Sequence, residues 1–200
     1  MQFISKRNQV FLRDGLVDKQ VKDPQSAALE ALTLRELRER GVAVPEVISF
    51  GENLLILEHL PGEPLPDVIE RGEYDPQCVA IALCDWFAAF YAAIASGECR
   101  GDVNGRNFLI DGCVSRFDGM KVYSVDFEER CHGSIARDAG RLAAFIETYE
   151  TREKAGRAAL SRVFMQYFSE RFRCEMGEIM AERELELAAM RLRRNHGPQP

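Results

Sequence analysis

Asp102, Asn107 and Asp126 are the residues of this 200-residue chain whose types and spacing can do chemistry. Asp102 and Asn107 stand five apart in Arg100-Gly101-Asp102-Val103-Asn104-Gly105-Arg106-Asn107, and Asp126-Phe127-Glu128 begins nineteen residues after Asn107. A carboxylate such as Asp102 can accept a proton from an attacking hydroxyl. The amide oxygen of Asn107 and the carboxylate of Asp126 are hard ligands suited to Mg²⁺. A base beside two metal ligands is what phosphoryl transfer requires. A simpler reading stands beside it: Asp, Asn and Gly favour turns for local reasons, and Asp126 could merely close a strand.

The surrounding pattern supplies elements that could position these groups. Phe108-Leu109-Ile110 and Val122-Tyr123-Ser124-Val125 are short apolar runs that predict strands, with the polar residues displayed at their ends. Upstream, Val10-Phe11-Leu12, a turn at Asp14-Gly15 and Leu16 to Val21 predict a hairpin. A helix follows, with Pro24 and Ser26 at its start and Ala28, Leu29, Leu32, Leu34 and Leu37 as apolar positions. Leu54 to Leu57 predicts a buried strand that runs through Glu58, His59 and Leu60 into Pro61-Gly62. Val79, Leu83, Phe87, Phe90, Tyr91 and Ile94 recur at three- and four-residue steps, the spacing of a core helix. After Asp126 come a short loop, a helix containing Asp138 with Leu142, Phe145 and Ile146 inward, and two further helices over 151–174 and 175–194.

This ordered set resembles the protein-kinase-like superfamily, most closely its aminoglycoside and small-molecule phosphotransferase branch. Those enzymes resemble the chain in carrying His-Gly-Asp, a following Asn, and then Asp-Phe. Here Arg100 stands where the family has His, a residue that packs and orients the loop, so the departure bears on geometry more than on chemistry. The resemblance runs from about residue 9 to residue 146. It implies an α+β, two-lobed protein-kinase-like fold: a small β-rich N-lobe over 1–60 and a mainly helical C-lobe over 61–200. It implies Asp102 as catalytic base and Asn107 and Asp126 as metal ligands. It also implies Lys19 on the phosphates, Glu30 pairing with Lys19, and the backbone of Glu58, His59 and Leu60 against adenine. Asp138 would brace the catalytic loop. Taken singly, Lys19 has a rival in Lys22, and Glu30 could be a carboxylate favoured by the helix dipole.

One expected part is missing. Kinase-like enzymes cover the phosphates with a glycine-rich loop, whereas no Gly occurs before Gly15. Ser5-Lys6-Arg7-Asn8 occupies the turn after a first strand at about 2–4, where backbone N–H groups and Lys6 or Arg7 could cradle phosphate.

Composition narrows the class further. A net charge of −6 argues against a general nucleic-acid binder. Six cysteines without a Cys-x-x-Cys pair read as reduced thiols of a cytoplasmic protein rather than as a disulfide framework or zinc site. No stretch reads as long and apolar enough to span a bilayer, and the first residues lack a signal-peptide layout. Arg191, Arg193 and Arg194 suit a helix C-terminus, with a frayed tail from His196.

The expected function is ATP- and Mg-dependent transfer of the γ-phosphoryl group to a hydroxyl acceptor. Only eleven residues separate Asp126 from Asp138, too few for a long phosphorylated activation segment, so a small molecule is a better acceptor than a peptide. The main alternative is a pseudokinase, a nucleotide-binding or scaffolding module without transfer. A third reading gives the last helices, with Met176, Ile179, Met180, Leu187 and Met190, to a protein partner. Packing on their own lobe is the simpler reading of the same face.

Overall fold

A computed structural model describes residues 2–3, 8–112, 119–127, 131–149 and 154–195. Ser5, Lys6 and Arg7 of the first turn, Cys113, Glu128, Glu129 and the tail from His196 lie outside the described residues. The fold is α+β, with a small antiparallel sheet followed by a mainly helical half.

Five strands make the sheet in the order β1-β2-β3-β5-β4: β1 (Gln2–Phe3), β2 (Gln9–Arg13), β3 (Leu16–Gln20), β4 (Val47–Gly51) and β5 (Leu54–Glu58). The expected hairpin is β2–β3. Asp14 and Gly15 both have positive φ, 50° and 77°, the conformation that a two-residue hairpin turn needs and that Asp-Gly adopts at low cost.

Helix α1 (Pro24–Glu39) begins one residue after Asp23, whose Oδ1 accepts from Gln25 N at 3.1 Å and whose Oδ2 accepts from Ser26 Oγ at 2.9 Å. Its buried face holds Ala27, Glu30, Ala31, Thr33, Leu34 and Leu37. Leu29 and Leu32 point to solvent instead, because the face turned to the sheet is set by Glu30 and Leu34, about one helical turn apart.

The helical half contains α2 (Leu65–Arg71), α3 (Pro76–Ala93), α4 (Ile135–Thr148), α5 (Lys154–Phe172) and α6 (Met176–Asn195). Short strands β6 (Glu63–Pro64), β8 (Phe108–Asp111) and β9 (Lys121–Ser124) form a second sheet, and β7 (Glu98–Cys99) pairs with β10 (Cys131–His132) in a third. Gly62, at the exit from β5, has φ 103°, and a Cβ there would stand 2.6 Å from the Ile110 carbonyl oxygen. The chain can pass so close to β8 only with a glycine at this point.

Helix α3 runs through the core, burying Val79, Leu83, Trp86, Phe87 and Phe90. Its 18 residues correct the expectation that no stretch is long and apolar enough to cross a bilayer: by length and composition this one is. Its buried residues belong instead to an apolar cluster continuous from α1 and β5 through α3 to α4 and α5. Trp86 Nε1 donates to Ala43 O at 3.0 Å, and Ser124 N donates to the same carbonyl at 3.1 Å. That carbonyl thus ties the segment between α1 and β4 to both α3 and β9. In α6, Ile179 and Leu187 are buried, whereas Met180 is half exposed. Gly140 of α4 permits the approach, since a Cβ there would meet the Arg183 backbone nitrogen at 2.6 Å.

Candidate active site

Lys19 extends from the fourth position of β3 and is almost fully buried. Its ammonium donates to both carboxylate oxygens of Glu30, at 3.0 and 2.8 Å, and to Asp126 Oδ1 at 2.9 Å. Glu30 also accepts from Phe127 N at 3.2 Å. One buried carboxylate on α1 therefore holds both the strand lysine and the backbone that follows Asp126. Burial pushes the Glu30 carboxyl above its ordinary range, against the attraction of Lys19. Glu30 lies away from the first turn of α1, so its partners rather than the helix dipole account for its place.

Asp102 is exposed on the loop after β7, and Asn107 is buried at the end of a 3-10 turn over Gly105–Asn107. Asn107 Nδ2 donates to Asp102 Oδ2 at 3.3 Å, while Val125 N donates to Asn107 O at 2.9 Å. The second bond follows from the register of β8 with β9, in which Phe108 pairs Ser124. Strand pairing thus sets Asn107 beside the segment that carries Asp126. Lys19, Glu30 and Asp126 form one hydrogen-bonded group, and Asp102 and Asn107 a second, tied to the segment of Asp126 through the Val125 amide.

The departure at Arg100 has a structural answer. Arg100 is completely buried, and its Nη2 donates to Val125 O at 2.8 Å and to Asp126 O at 2.6 Å. Its guanidinium carbon lies 4.0 Å from the centre of the Phe127 ring, a cation–π contact that is stronger away from water. Nε and Nη1 have no hydrogen-bond partner among the described residues. Burial pulls the Arg100 guanidinium below its ordinary value, opposed first by the charge of Asp102 and then by that of Asp126. Asp126 itself adopts φ 66°, a left-handed conformation uncommon for a non-glycine residue. Two carbonyls gripped by Arg100 and a carboxylate gripped by Lys19 hold it there.

Asp138 braces the loop from below. Its carboxylate accepts from Arg100 N at 2.7 Å, Gly101 N at 3.1 Å and Tyr91 Oη at 2.8 Å. Burial pushes this carboxyl above its ordinary range, and the three donors oppose the shift. Phe127 packs beneath, within 6.4 Å of Trp86 and 6.3 Å of Phe90 between ring centres.

Glu58 is placed differently from the other predicted residues. Its amide donates to Glu46 O at 2.9 Å, and its carboxylate accepts from Arg38 Nη1 at 2.7 Å and Glu46 N at 3.0 Å. These bonds tie the end of β5 to the chain entering β4. His59 is exposed and Leu60 buried. Lys22 lies beyond the end of β3, beside an open cavity of about 700 Å³ lined by Gln9, Gln20, Phe50 and Leu54. The rival to Lys19 therefore lies outside the strand that carries Lys19, beside this cavity.

No protein-family model matches the chain, and no curated protein matches it in sequence. Solved structures do. A choline/ethanolamine kinase family protein from Mesorhizobium loti aligns with a TM-score of 0.61 and 17% identity, over 100% of this chain and 81% of that one. This is a protein-kinase-like fold. The bifunctional kinase-methyltransferase WbdD aligns with a TM-score of 0.57 and 16% identity, over 90% of this chain. The kinase-like chain spans about half of WbdD, 47% of its length. The Rio2 kinase-ADP/Mg²⁺-phosphoaspartate complex from Chaetomium thermophilum aligns with a TM-score of 0.53 and 14% identity, over 86% of this chain and 55% of that one. Similarity spread over such different kinases shows the superfamily's fold rather than one branch of it.

Arg100 and the pair Cys99 and Cys131 are what reasoning from sequence left without a role. Alternation along 98–99 gave no signal, because two residues are too few to show a strand's period.

Proposed function

We propose that the chain is an ATP- and Mg²⁺-dependent phosphotransferase that moves the γ-phosphoryl group to a hydroxyl of a small acceptor. The observation that carries this reading is the Lys19 ammonium held between Glu30 and Asp126, with Asn107 joining Asp126's segment to Asp102. The nucleotide would lie in the cleft between lobes that divide at Leu60.

The residues fit a magnesium ion. Asn107 directs its amide nitrogen to Asp102, which leaves the amide oxygen as a donor, and Asp126 gives one carboxylate oxygen to Lys19, leaving the other. Few, hard oxygen donors suit an ion that keeps several waters and takes the rest of its ligands from phosphate. Bound there, the ion would neutralise the charge that builds on the phosphoryl oxygens. Lys19 grips the α- and β-phosphates, and Glu30 keeps Lys19 aimed. Asp102, exposed and carrying a carboxylate, takes the proton from the acceptor hydroxyl. The Glu58 amide and carboxylate are engaged within the protein, so the adenine edge meets the Glu58 carbonyl and the backbone of His59 and Leu60.

A thermal-unfolding titration with ATP, with and without Mg²⁺, tests the reading on wild type beside Asp126→Ala. Nucleotide at about one hundred times its dissociation constant adds roughly 2.7 kcal/mol of stability. A Mg²⁺-dependent shift that vanishes in the variant is the expected result; no shift at millimolar nucleotide would refute it. One feature favours a nucleotide-binding module without transfer, the absence of glycine before Gly15. A full Mg²⁺-dependent shift with no phosphorylated product across a panel of small hydroxyl acceptors would select that reading.

A further inference from the structure

Cys99 and Cys131 face each other in direct register across the β7·β10 pair, with their sulfurs 2.7 Å apart and both present as thiols. Opposed residues of an antiparallel pair hold their Cα atoms about 4.5–5.5 Å apart, inside the span a disulfide bridges. We propose that this pair is an oxidation site, a dithiol that closes to an intramolecular disulfide on meeting a hydroperoxide and reopens under a thiol reductant. The proposal stands whether or not the chain transfers phosphate.

The two sulfurs differ in a way that orders the reaction. Cys131 is partly exposed and is followed by exposed His132, Gly133 and Ser134, whereas Cys99 is fully buried. Arg137 Nη1 lies 3.5 Å from the Cys131 sulfur, a cation beside the atom that carries negative charge as it attacks. Burial pushes the Cys99 thiol up to about 12, which unfits it as the first nucleophile. The Cys131 sulfur therefore attacks one peroxide oxygen. The O–O bond breaks, the other oxygen leaves as alcohol or water with the thiol proton, and Cys131 becomes a sulfenic acid. The Cys99 sulfur then attacks the sulfenic sulfur. The S–S bond forms, the S–O bond breaks, and water leaves with the Cys99 proton. Two thiols are oxidised and one hydroperoxide is reduced, so electrons and atoms balance.

The location gives the bond a purpose. β7 leads directly into Arg100 and the Asp102 loop, and β10 lies a few residues beyond Asp126 and Phe127. A bridge would join the chain entering one loop to the chain leaving the other.

The test treats the full chain with hydrogen peroxide and maps its peptides without reduction. Expected are the loss of two hydrogens in intact mass, one cross-linked peptide pair joining Cys99 to Cys131, and full reversal by dithiothreitol. The oxidised form should also unfold at a higher temperature, as a closed loop restricts the unfolded chain. Cys131→Ser should form no such bridge, while Cys99→Ala should stop at a Cys131 sulfenic acid trapped by dimedone. Wild type in which Cys131 runs on to sulfinic acid while Cys99 stays reduced would overturn the proposal. So would two unreacted thiols, or a bridge from either to Cys113. Should Cys99→Ala fail to fold, wild type and Cys131→Ser still decide the matter.

Discussion

The Lys19 ammonium lies 2.9 Å from the Asp126 carboxylate, 107 residues further along the chain. This contact crosses from the hairpin to the loop after β9, and Glu30 closes it from the third side at 2.8 Å. Both Lys19 and Glu30 are removed from water, which makes their pairing strongly dependent on both partners being present.

Removing only Lys19 therefore leaves a buried carboxylate without its counterion. Lys19→Met should cost about 3–5 kcal/mol in urea unfolding and abolish the nucleotide-dependent shift. Lys19→Met with Glu30→Leu should recover much of that stability and none of the nucleotide response. A double variant no more stable than Lys19→Met would contradict the pairing.

Asp102 presents the opposite case, since it is exposed and contributes little to packing. Asp102→Asn keeps an oxygen for the Asn107 amide but removes the charge that most offsets the burial of Arg100, so it should cost about 0.5–3 kcal/mol in unfolding. Transfer to an acceptor hydroxyl should fall by roughly 10²–10⁴, the usual contribution of a general base. Parallel unfolding curves and initial-rate assays check both halves.

Arg100→Ala should separate metal binding from nucleotide binding. The change empties a buried site and frees the Val125 and Asp126 carbonyls, at a cost of about 3–5 kcal/mol. Asp126 then loses one of the two grips on its left-handed backbone, so Mg²⁺ should no longer enhance the ATP shift. Metal-free nucleotide binding through Lys19 should persist. An unchanged Mg²⁺ effect in a folded Arg100→Ala variant would remove Arg100 from this role.

Gly62→Ala tests the passage from β5 into β6. The residue's φ of 103°, and an Ile110 carbonyl oxygen only 2.6 Å from where the Cβ would stand, both oppose any side chain. The conformation alone costs about 1–3 kcal/mol, which thermal unfolding would register.

Asp23 supplies an acid-dependent contribution at the start of α1. The Ser26 hydroxyl, and then the Gln25 amide, hold its carboxyl below its ordinary value of 3.8. Because the folded value is lowered, the stabilisation is present above 3.8 and is lost as pH falls through the folded value. Unfolding midpoints of wild type and Asp23→Ala should differ at neutral pH and converge as the pH falls below the folded value, where the carboxyl is protonated in both states.

Local rules made much of this chain legible before its fold was known. Asp14-Gly15 specified a tight hairpin because both residues tolerate positive φ. The three- and four-residue apolar steps of 79–94 announced a core helix, which α3 is. The order of Lys19, Glu30, Asp102, Asn107 and Asp126 indicated a kinase-like arrangement, because each chemical part requires its own residue type. Leu29 and Leu32 were not legible as exposed, since apolar content alone does not say which face of α1 meets the sheet.

Arg100 shows where sequence stopped. Its guanidinium finds its carbonyl partners 25 and 26 residues away, and its aromatic partner in Phe127, only after β8 and β9 have paired. The approach of Cys99 to Cys131 likewise exists only through the register of two very short strands. Most elements and the inventory of reactive groups could be read from the chain alone, because turns, caps and periodicity act over a few neighbouring residues. Which groups meet was settled in three dimensions, because burial and strand pairing join residues whose separation along the chain carries no local signal.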